Sequence, residues 1–127
     1  MKASSRFIAI ILLPLTLGHA AEPPGDAQAA ADKLLAAVIS VDYPAFVADA
    51  AGALKKVEKK LFTAVSDQLR PRLKKGYSDT YLGALNQNGY QVTLRRLRFT
   101  DGGDDALVTL KRKDGKNFGY SIKIWLN

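Results

Sequence analysis

Cysteine is absent from this sequence of 127 residues, and histidine occurs once, at position 19. Without cysteine the chain forms no disulfide, no thiolate metal site and no thiol nucleophile. His19 lies where a leader peptide would be removed, so we expect the mature chain to lack imidazole. These absences exclude Ser-His-Asp and Cys-His catalysis and most zinc sites. We expect neither a metal site nor a cofactor.

The first twenty residues have the three-part pattern of a secretory signal. Lys2 and Arg6 form a positive n-region, residues 7–17 an apolar region, and residues 18–20 a small-x-small cleavage site. The apolar region is interrupted by Pro14 and is shorter than the ~20 residues that a membrane-spanning helix needs. We therefore predict cleavage after Ala20 and a soluble periplasmic or secreted protein with no transmembrane anchor after cleavage.

Basic residues outnumber acidic ones, with 19 Lys+Arg against 12 Asp+Glu and a net charge of +7. Loss of Lys2 and Arg6 with the leader leaves 17 against 12, a charge of +5 on 107 residues. Positive surfaces attract polyanions, which in a periplasm are envelope components. The anion-binding candidates are four lysines expected on one side of a helix: Lys55, Lys56, Lys59 and Lys60. The alternative, that these lysines only solvate a helix surface, stays open, and we expect no physiological nucleic-acid partner.

The first half of the chain has helical periodicity. We predict a disordered start over residues 21–25 and a helix over residues 26–40 capped by Asp26. Asp42, followed by Tyr43 and Pro44, predicts a second, short helix. A third helix is expected over residues 54–73, with a kink or break at Pro71.

The second half changes to a period of two, with turn signals at residues 88–89, 101–104 and 114–115. Four strands are predicted, near residues 77–85, 90–100, 105–113 and 116–126. Tyr90, Val92 and Leu94 have the opposite parity to Leu97 and Phe99, which predicts a β-bulge at Arg95 and Arg96. In the last strand, residues 118, 120, 122, 124 and 126 are expected on the buried face.

Three helices followed by an antiparallel sheet define an α+β fold, with the helices on one face of a curved four-stranded sheet. We predict a single α+β domain over residues 26–127, preceded by the signal peptide over residues 1–20.

This element order resembles the superfamily of nuclear transport factor two and ketosteroid isomerase, and more closely its small exported bacterial members of uncharacterised function. The resemblance is carried by residues 42–46 at the second helix, 76–77 and 81–83 at the first strand, and 101–107 before the third. A cystatin-like inhibitor fits less well because it has only one long helix. The resemblance implies a cone with a pocket at its open end.

The resemblance implies a fold and a pocket but no activity. We expect an exported binding or interaction module, non-enzymatic, that uses an apolar pocket or its sheet face as the contact surface and whose partner is a small ligand or an envelope protein. The pocket candidates are Tyr43, Phe46, Tyr77, Asp79 and Tyr81. The alternative is an isomerase or lyase that uses Tyr and Asp in the cone. Dehydratase-type chemistry is excluded because the His-Asp pair of those members is missing. Members of this superfamily often form dimers through their sheets, so Trp125 is the candidate for a homodimer interface. The alternative is that Trp125 closes the cone.

Overall fold

Four helices precede four strands in the computed structural model, which describes residues 24–124. The helices are α1 (Gly25–Ser40), α2 (Tyr43–Val47), α3 (Gly52–Lys55) and α4 (Lys59–Lys75). The strands are β1 (Tyr77–Gln87), β2 (Tyr90–Phe99), β3 (Ala106–Lys113) and β4 (Lys116–Lys123). The predicted α+β class, with helices before strands, is confirmed. The leader with its cleavage site and Trp125 lie outside the described residues.

Helix α1 forms because alanine and leucine recur on one side of an Ala-rich segment. Its buried residues are Ala27, Ala31, Leu34, Leu35, Ala37 and Val38. Asp26 lies in the first turn and is not the cap, which is Pro24. The helix ends at Ser40 and is capped by Val41, which has a left-handed backbone (φ 54°) and whose N–H donates to the oxygens of Ala37 and Val38.

Helix α2 begins as the sequence predicts. The Asp42 carboxylate accepts a hydrogen bond from the N–H of Ala45 at 3.1 Å, and Pro44 occupies the first turn. Both features stabilise a helix N-terminus. The short helix places Phe46 in the core with 6% of its surface exposed.

The predicted third helix is two helices, which corrects the expectation of one continuous segment. Lys56 closes α3, and Glu58 has an extended backbone (ψ 145°) before α4. The Tyr43 hydroxyl donates to the backbone oxygen of Val57 at 2.6 Å. A side chain from α2 thus takes a carbonyl that a continuous helix would use, and the chain turns there.

Pro71 does not break α4, which continues to Lys75. A proline removes the hydrogen bond to the carbonyl four residues earlier, that of Asp67. Both Pro71 and Asp67 are exposed, so water can hydrate the released carbonyl.

The strands form one antiparallel sheet in the order β1-β2-β3-β4. Two hairpins have the turns that the sequence predicts, because Asn88-Gly89 and Asp114-Gly115 all have positive φ. Such pairs match the twist of the strands that they join. The longer connection from β2 to β3 is held to α4 through Asp101, which accepts two hydrogen bonds from Arg72 at 2.7 and 3.1 Å. This guanidinium lowers the pKa of Asp101 to about 2.

The predicted bulge at Arg95 and Arg96 is wrong. The register shift lies on the neighbouring strand, between Tyr81 and Gly83, opposite Arg95 and Leu94. Strand β2 keeps one alternation throughout, with its buried residues at Thr93, Arg95, Leu97 and Phe99. Arg95 therefore lies on the core face.

The helices cover one face of the sheet. The buried strand residues of this core are Leu97, Phe99, Ala106, Val108 and Leu110. A second register shift, between Lys111 and Arg112, separates Phe118 from the later residues of β4. Tyr120, Ile122 and Ile124 pack against the core as predicted, whereas Phe118 makes an edge contact with Tyr90, with 5.1 Å between ring centroids.

Residues 49–51 run beside the start of β4. The N–H of Ala51 donates to the oxygen of Asn117, and the N–H of Asn117 donates to the oxygen of Asp49, both at 2.8 Å. The buried Asn117 side chain accepts a hydrogen bond from Arg112. This parallel bridge connects the helical half to the sheet edge.

Candidate functional site: two cavities on the helix-covered face

One cavity lies between α2, α3, α4 and β4, and we call it the apolar cavity. It encloses about 160 Å³. Its lining is Val38, Phe46, Leu54, Val57, Leu61, Phe62, Val65, Ser66, Tyr120 and Ile122. Leu61 and Val65 are 58% and 42% exposed, so they border the opening to solvent.

Aromatic packing builds the inner wall of the apolar cavity. The ring of Phe62 lies 4.6 Å from that of Phe46 and 5.7 Å from that of Tyr43, centroid to centroid. Phe46 also meets Tyr120 edge-on at 5.9 Å. The hydrogen bond from Tyr43 to Val57 connects α2 to the segment between α3 and α4, next to this wall.

Ser66 is the small polar group in this lining. It is fully buried, and its hydroxyl has no hydrogen-bond partner among the described residues. A buried hydroxyl without a partner destabilises a protein unless a ligand or water satisfies it. Ser66 thus places one buried, unpartnered hydroxyl in the wall of the apolar cavity.

A second cavity lies between α1 and the strands β1 and β2, and we call it the polar cavity. It encloses about 390 Å³. Its lining is Gln28, Asp32, Leu35, Ala36, Ile39, Tyr77, Asp79 and Arg95.

Arg95 connects the elements around the polar cavity. Only 6% of its surface is exposed. Its Nε donates to Asp79 at 2.8 Å, and its Nη1 donates to the side-chain oxygen of Gln28 at 3.0 Å. Gln28 in turn donates to Asp32 at 2.8 Å. The network joins α1 to both strands and satisfies the buried guanidinium at two positions.

The charges of the polar cavity affect two phenols. Burial, reinforced by Asp79 and Asp32, raises the pKa of Tyr77. Burial also raises the pKa of Tyr120, with Asp79 adding to the effect and Arg95 opposing it. Both phenols are therefore harder to ionise than an exposed tyrosine.

The five predicted pocket residues are divided between these sites. Phe46 lines the apolar cavity, and Tyr43 supports its wall. Tyr77 and Asp79 line the polar cavity, whereas Tyr81 lines neither.

The four lysine candidates are all exposed, but they do not share one helix. Lys55 ends α3, Lys56 follows it, and Lys59 and Lys60 begin α4. The expected arrangement on one side of a continuous helix is therefore wrong. Among the described residues, none of the four pairs with a carboxylate.

Sequence reasoning missed Arg95, Gln28 and Ser66 as site residues. The signal for Arg95 was its parity with Leu97 and Phe99, which places it on the core face of an uninterrupted strand. Nothing local marks Gln28, whose partner Arg95 is distant in the chain. Ser66 follows Phe62 by one helical turn, which places it on the buried side of α4.

Searches with the whole sequence find no matching protein-family model and no matching curated protein. Within residues 24–124, no helix has the length and apolar character needed to cross a membrane. The same part of the chain contains no cluster of three acidic, histidine or cysteine side chains placed to hold a metal ion.

Proposed function

We propose that this protein is an exported, non-enzymatic binding module of the nuclear-transport-factor-two-like superfamily, and that a small apolar ligand enters the apolar cavity. The observation that carries the proposal is this cavity, whose lining combines aromatic and aliphatic side chains with an opening at Leu61 and Val65. Small-molecule sites are concave and mostly apolar, with few polar groups to orient the ligand.

The size of the cavity limits the ligand. An engineered cavity of about 150 Å³ lined by Leu, Ile and Phe stays dry and binds benzene. The apolar cavity here is of similar volume, about 160 Å³, so one ring or a short acyl chain fits. A groove lined by Val65, Ile122 and Ile124 continues from it along α4 and leaves room for a longer chain.

The unpartnered hydroxyl of Ser66 adds a polar preference. A ligand that carries a hydroxyl or carbonyl group can satisfy this buried group, whereas a pure hydrocarbon cannot. Hydrogen bonds of this kind contribute about 1 kcal/mol, which corresponds to about a fivefold change in affinity. We therefore expect phenol to bind more tightly than benzene.

The isomerase or lyase alternative rests on Tyr77 and Asp79, which line the same polar cavity. Two observations favour binding over this chemistry. The carboxylate of Asp79 is engaged by Arg95 at 2.8 Å, and the raised pKa of Tyr77 makes it a weaker proton donor to an enolate. The polar network fits a role in holding α1 on the sheet.

Ligand titrations followed by amide NMR test the proposal. Adding benzene or phenol to the purified protein should shift the amide signals of Leu54, Val65 and Ser66 selectively. Val65→Trp places a large ring at the opening and should abolish these shifts. Ser66→Ala should lower the affinity for phenol about fivefold and leave that for benzene unchanged.

The matched control is Ala64→Trp, at an exposed α4 position that does not line the cavity. It should bind both probes like the unchanged protein, and its spectrum should show the same fold. Shifts spread evenly over the protein, or equal losses in the two Trp variants, would contradict the proposal.

A further inference from the structure

The face of the sheet turned away from the helices, which we call the outer face, is defined by the strand register. In β2 the buried residues alternate with a second set that points outward: Tyr90, Val92, Leu94, Arg96 and Arg98. Cross-strand pairing extends this set to β3 and β4. There it adds Leu107, Thr109, Lys111, Lys113, Lys116, Ser121 and Lys123.

This outer face is strongly positive. Its basic residues are Arg96, Arg98, Lys111, Lys113, Lys116 and Lys123. Register places one carboxylate of the described chain beside them, Asp105, which pairs with Arg98 at 3.6 Å at the end of the strands. The other five cations have no acidic partner among residues 24–124.

The cations alternate with apolar side chains across the strands. Arg96, Leu107 and Lys123 lie in one row on three neighbouring strands, and Lys111 lies opposite Val92. Val92, Leu94 and Leu107 are only partly covered. Lysines also surround Tyr90, since the ammonium groups of Lys111 and Lys113 lie 4.3 and 5.2 Å from its ring centre.

We propose that the outer face docks on the surface of an anionic lipid bilayer. Basic residues near such a surface each add about 1 kcal/mol to binding, and their aliphatic stems and apolar neighbours pack at the headgroup boundary. A sheet face with cations in several rows meets a flat, uniformly charged partner. An acidic protein would instead need pockets for anchoring side chains. The cavity beside the outer-face residue Lys113 is also lined by Asp26 and Asp114, whose carboxylates disfavour an acidic side chain there.

Vesicle co-sedimentation tests this proposal with the protein purified after export, its N-terminus established by mass spectrometry. It should bind vesicles of pure phosphatidylglycerol and not vesicles of pure phosphatidylcholine. Binding should be lost when salt rises from about 0.1 M to about 1 M, because the screening length falls from about 10 Å to about 3 Å. The triple variant Lys111→Gln, Lys113→Gln, Lys123→Gln should bind about 100-fold more weakly, since each charge contributes about fivefold.

The control variant removes the same number of charges elsewhere, with Lys55→Gln, Lys56→Gln and Lys60→Gln. All six lysines are exposed, and circular dichroism melting of each variant checks that the fold is kept. The control should bind like the unchanged protein. Equal losses in both triple variants, a loss in the control alone, or binding to polyglutamate without binding to vesicles would each overturn the proposal. The variants leave the apolar cavity intact, so this test is independent of ligand binding there.

Discussion

The apolar and polar cavities lie on the same face of one sheet, yet they are built from opposite chemistry. The apolar cavity is lined by aromatic and aliphatic side chains, with one small buried hydroxyl, that of Ser66, in its wall. The polar cavity contains a buried arginine with two carboxylates nearby. Buried charges need partners on several sides, and α1 supplies one of them through Gln28. The polar cavity is therefore suited to holding helices and strands together, and the apolar cavity is suited to accepting a ligand.

The largest expected change in stability comes from the wall of the apolar cavity. Phe62→Ala removes the ring that contacts both Tyr43 and Phe46, and should lower the free energy of unfolding by about 4 kcal/mol. Urea denaturation measures this change. Leu61→Ala, one residue away and exposed, should change it by less than about 0.5 kcal/mol. Similar losses in the two variants would show that the aromatic cluster does not support the cavity wall.

The next largest change in stability is expected in the polar cavity. Arg95→Met leaves Asp79 without its partner in a mostly buried position and should cost about 3 kcal/mol. The double variant Asp79→Leu, Arg95→Met should be more stable than Arg95→Met, because no unpaired charge remains. Lys33→Met breaks the exposed pair with Asp49 and should cost less than about 1 kcal/mol. If Arg95→Met lowers the free energy of unfolding no more than Lys33→Met does, the polar cavity does not have the structural role that distinguishes it from the apolar cavity.

The smallest effect depends on pH. The pKa of Tyr77 is raised above its ordinary value of 10.0, so folding favours the neutral phenol. This contribution is fully present below pH 10 and is lost as the pH rises through the folded-state pKa. Between pH 10 and the folded-state pKa of Tyr77, the free energy of unfolding should therefore fall less steeply in Tyr77→Phe than in the unchanged protein, as urea denaturation at several pH values would measure.

A second variant checks the cause of that shift. Asp32→Asn removes one of the charges that raise the pKa of Tyr77, so absorbance titration should show this phenol ionising at lower pH. An unchanged titration would mean that burial and Asp79, without Asp32, account for the raised pKa.

Local sequence signals predicted the class of the fold and its turns. The turns at Asn88-Gly89 and Asp114-Gly115 depend only on the backbone preferences of those residues. The cap at Asp42 depends only on the helix that directly follows it. Predictions that depended on distant residues failed. The break between α3 and α4 involves a hydrogen bond from the hydroxyl of Tyr43. The unbroken alternation of buried and outward residues in β2 involves partners for Arg95 on β1 and α1.

The candidate site was harder to predict than the fold for the same reason. Periodicity indicates that Phe46 and Tyr77 face inward, but not that α1 and α4 divide the inner space into two cavities. The face of Arg95 was readable from its parity with Leu97. The change of parity between Leu94 and Leu97 predicted a bulge instead, because the sequence does not show that the Asp79 carboxylate lies beside Arg95.

The two edges of the sheet limit what can pair with it. At the β4 edge, residues 49–51 already occupy the hydrogen-bonding groups of Asn117. At the β1 edge, the register shift beside Leu82 interrupts the regular row of donors and acceptors, even though Leu82 and Leu85 are half exposed. Native proteins protect strand edges from aggregation by such interruptions. An open sheet of four strands is thereby displayed without a full-length template on which a neighbouring chain could begin a fibril.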